Sequence, residues 1–173
     1  MSNTTNNIIE SFKIGADSEE IVFEWMLQKN WKMTDVRKDK IYQIKDIDYL
    51  VRVDNFSTSV DVKSDKRFET GNYFIETFSS VEKNIIGWGF GSQAEYIIVY
   101  YPTVCELHLI DMYALKTWLV ANAGKYRTIT NATRREDGTM YHSQGIVVNR
   151  QKLMDEIGTD NLQINKINIK DVA

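Results

Sequence analysis

The spacing of apolar residues changes along the chain, and each change marks an element. From Asp17 to Trp31 apolar residues recur at helical spacing: Ile21, Trp25 and Leu27 or Gln28 form a stripe that Val22, Phe23 and Met26 widen. The segment opens with Asp17-Ser18-Glu19-Glu20, where a capping side chain and early acids suit the unpaired N–H groups and positive end of a helix. A helix is therefore predicted over 17–31. Beyond Ile41 the period falls to two. Tyr49, Val51 and Val53 share one face while Asp48, Leu50 and Arg52 share the other; after the turn-like Asp54-Asn55-Phe56-Ser57, Val60 and Val62 lie opposite Asp61 and Lys63. Two adjacent strands forming a hairpin are predicted.

Further on, Thr70-Gly71-Asn72 reads as a turn before a strand over Tyr73–Phe78, and the loop-like Gly87-Trp88-Gly89-Phe90-Gly91 precedes a strand over Tyr96–Tyr101 that Pro102 ends. A strand over Glu106–Ile110 leads into a helix over Met112–Ala123, with Leu115, Trp118 and Leu119 as its apolar stripe and Gly124 closing it. The remainder reads as a polar loop over Arg134–Gly138, a short strand over Gly145–Val148 and a helix over Arg150–Ile157 stopped by Gly158. No internal repeat is evident. The order of elements predicts the α/β class, a mixed β-sheet flanked by helices. One domain is expected over 1–173, with residues 1–15, rich in Asn, Ser and Thr, flexible.

Composition narrows the chemistry. The chain has 173 residues, 43% of them hydrophobic, enough to offset its ordering entropy by burial. Its net charge of -3 supplies no overall field for a polyanion, so any surface for one must be local. A single cysteine, Cys105, excludes an internal disulfide framework and a Cys-rich zinc site, and the two histidines, His108 and His142, lie far apart in sequence. His108 and His142 also lack a visible nucleophile partner, which disfavours a hydrolase triad. No stretch approaches the roughly 20 apolar residues of a membrane span. A cytoplasmic protein with no membrane partner is the expectation.

The strand alternation places Asp61 and Lys63 on one face while Val62 points into the core. If the preceding strand pairs alongside, Asp48 approaches the same point, and two carboxylates can hold a hard cation against a phosphate oxygen. Lys63 can then orient an attacking water and offset transition-state charge. Taken in order, Glu20 on the opening helix, Asp48 in Ile47-Asp48-Tyr49-Leu50 and the triplet Asp61-Val62-Lys63 resemble the signature of the PD-(D/E)xK nuclease superfamily, over about Ala16 to Phe78. Ile47 stands where that signature has its proline. The resemblance implies a restriction-endonuclease-like core and an endonuclease hydrolysing DNA, with Asp48, Asp61, Lys63 and Glu20 catalytic. It further implies that Asp48, Asp61, Val62 and Glu20 hold Mg²⁺, for which Mn²⁺ can substitute. Holliday-junction resolvases and phage or restriction-type endonucleases are the nearest in character, which points to a bacterial or phage-infected cell. Homodimerisation is expected by analogy, because cutting two strands needs two sites.

Around this core, Lys66 and Arg67 are candidates to grip a phosphate backbone, with Arg127, Arg134 and Arg135 as a second group. Ser92 and Gln93 are candidates to touch the substrate, and Trp88 and Phe90 to stack on bases. Glu24 and Glu76 compete with Glu20 as the third carboxylate. Each of these also has a plainer reading. Asp61 and Lys63 can be a solvated strand face, Glu19 and Glu20 can serve only the helix dipole, and the aromatics can be core. Two functional alternatives follow: a catalytically silent nuclease-like domain that binds nucleic acid or a protein partner, and an unrelated interaction module that binds no divalent cation.

Overall fold

Ser18, Val22, Trp25 and Met26 are the buried positions of the first helix, α1 (residues 17–28), and their spacing of four, three and one draws a single stripe. The computed structural model describes residues 17–134 and 138–167. The expectation of a flexible 1–15 therefore lies outside the described residues. The helix stops short of the predicted Trp31 because Asn30 takes a left-handed conformation, φ 59°, which ends helical hydrogen bonding. Trp31 instead turns back edge-on to Trp25, ring centroids 5.7 Å apart.

Among the described residues the strands are β1 (Lys32–Asp35), β2 (Tyr49–Val53), β3 (Phe56–Ser64), β4 (Asn72–Ser80), β5 (Ile85–Ile86), β6 (Tyr96–Tyr101), β7 (Glu106–Asp111), β8 (Thr128–Arg134), β9 (Met140–Asn149) and β10 (Leu162–Lys166). Further helical pieces are α2 (Lys40–Gln43), α3 (Trp88–Gly91), α4 (Met112–Asn122) and α5 (Arg150–Ile157). A six-stranded mixed sheet runs β1-β2-β3-β6-β7-β10, with β3 and β6 parallel and every other neighbouring pair antiparallel. A second, antiparallel sheet runs β5-β4-β9-β8. The fold is thus mixed α/β with flanking helices, as the pattern predicts.

The β2–β3 hairpin forms with Asp54 and Asn55 as its turn, Asp54 at φ 52°, and Val53 facing Phe56. Phe56 and Ser57, expected in the turn, already belong to β3. Val60 and Val62 pack with Tyr49, Val51 and α1 on one face of the sheet. The other face carries Ile97, Val99, Tyr101 and Ile110, covered by Leu115 and Leu119 of α4 and by Tyr73 and Ile75 of β4. The parallel β3–β6 pair needs a crossover connection, and here β4, β5 and α3 lie within it. That insertion brings the second sheet against the face of the first that carries Asp61 and Lys63.

The glycine-rich run, read as a loop, is the short helix α3. A Cβ on Gly87 or Gly89 would lie 2.7 or 2.8 Å from the Glu76 carbonyl oxygen, so these glycines let α3 press directly on the β4 backbone. The predicted Gly145–Val148 strand is the end of the much longer β9, and its partner β8 was not anticipated from the sequence. Cys105, between the two predicted strands, occupies the β6–β7 turn at φ 52°, half-buried.

Candidate functional site

The site is built where β2 begins and β3 ends. Asp48 continues the ladder through its N–H, which donates to the Val60 carbonyl at 2.9 Å. Its side chain then takes over where the strand pairing stops: Asp48 Oδ2 accepts the Val62 N–H at 2.7 Å. Asp48 is therefore held rigidly beside β3, as the hairpin register requires. Asp61 and Lys63 lie on the sheet face away from α1, and Lys63 Nζ donates to Asp61 Oδ1 at 2.8 Å. The Asp61 side chain is 1% exposed and that of Lys63 32%.

Asp61 Oδ2 is buried and has no hydrogen-bond partner among the described residues. Leaving such an acceptor unsatisfied costs about 1–3 kcal/mol, more if it is charged. Burial pushes the Asp61 carboxyl up to about 8, Lys63 opposes that rise, and the charges of Asp48 and Asp46 add to it. Lys63 is drawn the other way by burial, but Asp61, Asp48 and Asp46 together hold its ammonium above the usual lysine range. The lysine thus keeps its proton in a pocket of carboxylates.

Asp46 enters this pocket from the turn after α2, at φ 51°, and Glu76 from β4. Burial raises the Glu76 carboxyl, with Lys63 opposing and Asp46 adding. Asp46 is not marked by the local sequence, because its place is set by the positive-φ turn into β2, and the place of Glu76 beside Lys63 depends on how the second sheet docks. Glu20, expected at the site, is instead exposed and lies 3.5 Å from Arg37. The helix turns its neighbour inward: Glu19 bonds Arg37 at 3.0 Å, and its carboxyl is raised by burial, lowered by Arg37 and pushed up again by Asp48. Ser18 Oγ lies 3.0 Å from Ser64 Oγ, tying the start of α1 to the end of β3. Glu24 is half-buried one turn further along α1.

A cleft of about 690 Å³ opens over the site, lined on one side by Lys63, Ser64, Asp65 and Arg67 and on the other by Tyr73, Phe74, Glu76 and Trp88, with Asp46 and Ile44 at its mouth. Lys66 and Arg67 are exposed just after β3, and Arg67 lines the cleft. Ser92, expected to touch substrate, is fully buried: its hydroxyl donates to the Asp46 carbonyl at 3.2 Å and receives the Ala94 N–H, so it braces the loop. Gln93 is exposed beside Phe56 and Tyr113, in a separate hollow. Trp88 lines the cleft and Phe90 does not. Arg127 and Arg134 are exposed on and beside β8, and Arg135 lies outside the described residues. His142 pairs with Glu82, while His108 is buried between Tyr73 and Glu106, so each histidine has a partner of its own away from Asp61.

The donors suit a hard cation chemically. They are carboxylate oxygens, one of them buried and without a partner among the described residues, and the charges of Asp48 and Asp46 add to the rise of the Asp61 carboxyl. As the side chains stand, no three acidic, histidine or cysteine groups encircle a common point among the described residues. Val62 contributes only main chain here, because its side chain is buried under α1. No helix among the described residues is long and apolar enough to cross a membrane. Compared with protein-family models, curated proteins and solved structures, the chain matches none, so the fold and this site carry the functional reading.

Proposed function

We propose that the chain is a divalent-cation-dependent nuclease of the PD-(D/E)xK kind, hydrolysing DNA phosphodiester bonds. The observation that carries the proposal is the buried Asp61 Oδ2, without a hydrogen-bond partner among the described residues, beneath Lys63, which bonds Asp61 Oδ1 and itself lines the cleft. A carboxylate in that setting is destabilised until a cation reaches it, and Mg²⁺ or Mn²⁺ prefers such oxygens. Asp48 and Asp61 would hold the ion, with Asp46, Glu19 and Glu76 as further carboxylates around Lys63. Once bound, the ion supplies Lewis-acid charge beside the phosphate and makes water a stronger nucleophile.

The chain's own groups supply the remainder. Lys63 keeps a positive charge at the cleft floor and can hold a water against the phosphorus by hydrogen bonding. Arg67, at the cleft wall, can grip a neighbouring phosphate. Homodimerisation and a cytoplasmic setting belong to the same reading. A second reading is favoured by the Lys63–Asp61 contact, which already occupies one carboxylate oxygen. In it, the cleft binds nucleic acid or a protein without cutting.

A cleavage panel separates the two. Linear duplex, single-stranded, nicked and four-way-junction DNA are incubated with Mg²⁺, Mn²⁺ or EDTA. The nuclease reading expects at least one substrate to be cut with either metal and none in EDTA. Binding without cutting under every condition selects the silent domain.

A further inference from the structure

We infer that the cleft takes an unpaired DNA strand rather than an intact duplex, its bases lying on an isoleucine rim and its phosphates directed to the cations beneath. The inference rests on the nuclease reading for its phosphate chemistry and deepens it by naming the substrate form. Ile44, Ile85 and Ile86 line the same cleft as Lys63 and Arg67, yet they are 83%, 48% and 56% exposed. Three large aliphatic side chains grouped at the mouth of one cleft form an apolar patch in search of a cover.

The neighbouring charges say which cover fits. Arg67 makes no ion pair among the described residues, so its guanidinium is free for an anion at the cleft wall. The ligand must therefore offer flat apolar faces and anionic groups at close, alternating intervals. A single strand does so, because its unpaired bases can splay from their neighbours and expose their faces, and successive nucleosides are linked by phosphates. In a duplex the base faces are hidden, and the first surface to meet the rim would be the charged backbone. Duplex recognition also calls for a broad cationic surface, whereas this cleft sets Lys63 and Arg67 against Asp46, Asp65 and Glu76.

The test measures binding apart from cleavage. Fluorescence anisotropy with the full chain, in EDTA and separately with Ca²⁺, compares a 5′-labelled oligothymidylate, a blunt duplex and the same duplex with a 3′ single-stranded overhang. The expected result is binding of the single strand and the overhang at least about tenfold tighter than the blunt duplex. The double variant Ile44→Ser/Ile86→Ser changes exposed positions and leaves the fold intact, as checked by its urea midpoint. It should weaken single-strand binding about tenfold and leave duplex binding unchanged.

Equal or tighter duplex binding, no measurable single-strand binding, or an unaltered affinity in the double variant would each overturn the inference. So would a self-association that the double variant abolishes while oligonucleotide binding stays the same, since the rim would then be a contact between copies. Cleavage in Mg²⁺ is scored separately. Duplex cutting without single-strand preference removes this inference and keeps the nuclease, whereas rim-dependent single-strand binding with no cutting in any metal does the reverse.

Discussion

Two buried polar clusters lie on the same face of the six-stranded sheet, two strands apart, and they are finished differently. Lys63 is level with Val99 and Val99 with His108, so the Asp61–Lys63 pair and His108 share one layer. At His108 both ring nitrogens are occupied: Nδ1 by the Tyr73 hydroxyl at 2.5 Å and Nε2 by Glu106 Oε1 at 2.8 Å. At Asp61 one oxygen is occupied and the other has no partner among the described residues. A satisfied network rigidifies a core, whereas an unsatisfied one stores a cost that a ligand can relieve. The His108 ring is satisfied even though the hydroxyl of Tyr101, whose ring packs against it, and Arg150 Nη1 lack partners among the described residues, whereas at Asp61 the unpartnered atom belongs to a carboxylate, the group that a cation on the proposed reading would relieve.

The comparison is sharpest in what each cluster loses on mutation. Lys63→Ala leaves Asp61 buried without its cation, so cleavage should fall by a factor on the order of 10² or more. Stability should drop by about 3 kcal/mol at pH 9, and by less near pH 6, where Asp61 takes a proton instead. Gel-based rates and urea melts at the two pH values check both. Tyr73→Phe strips the partner from His108 Nδ1 and should cost about 1–3 kcal/mol in urea unfolding with little effect on the rate per folded molecule. A rate loss without a stability loss in Tyr73→Phe would erase the distinction between the clusters.

Their pH dependences should also run in opposite directions. Burial lowers the His108 pKa, with Glu106 opposing, so the unfolded chain binds a proton there that the folded chain refuses. Its contribution to stability is then lost as pH falls below the ordinary value of about 6.5, with a slope of at most about 1.4 kcal/mol per pH unit. Asp61 is raised to about 8, so the folded chain holds a proton the unfolded chain has released. Its contribution is present below the ordinary aspartate value of about 4 and is lost as pH rises toward 8. Urea midpoints from pH 5 to 9 should lose their acid slope in His108→Gln and their alkaline slope in Asp61→Asn. The smallest effect is expected at Cys105→Ser, a turn position, with less than about 0.5 kcal/mol in stability and an unchanged rate.

Much of this was legible in the chain because it depends on period alone. Ser18, Val22, Trp25 and Met26 define α1, and the alternation through Val60, Asp61, Val62 and Lys63 fixes which side chains share a face. Edge strands were not legible. Lys32–Asp35 and Leu162–Lys166 are short and mostly exposed, and Thr128–Arg134 alternates between exposed and half-buried positions with hardly an apolar face to mark it. The choice of Glu19 over Glu20 was hidden for a geometric reason. The two differ by about 100° around the helix, and only the docking of α1 on β2 and β3 decides which turns toward Asp48. Glu76 reaches Lys63 through the packing of the two sheets, and Asp46 through the positive-φ turn between α2 and β2, neither of which a local hydrophobic pattern records.

The central claim is that the unsatisfied oxygen of Asp61 marks a cation-dependent cleavage site. It is tested most directly by timing cleavage of end-labelled DNA with Mg²⁺, comparing the wild type with Asp61→Asn, which keeps the side chain's shape and removes its charge. The account predicts cutting by the wild type that stops in EDTA, and a rate at least about 10²-fold lower in a fully folded Asp61→Asn. Cleavage by Asp61→Asn at the wild-type rate, or wild-type cleavage undiminished after exhaustive chelation, would contradict it.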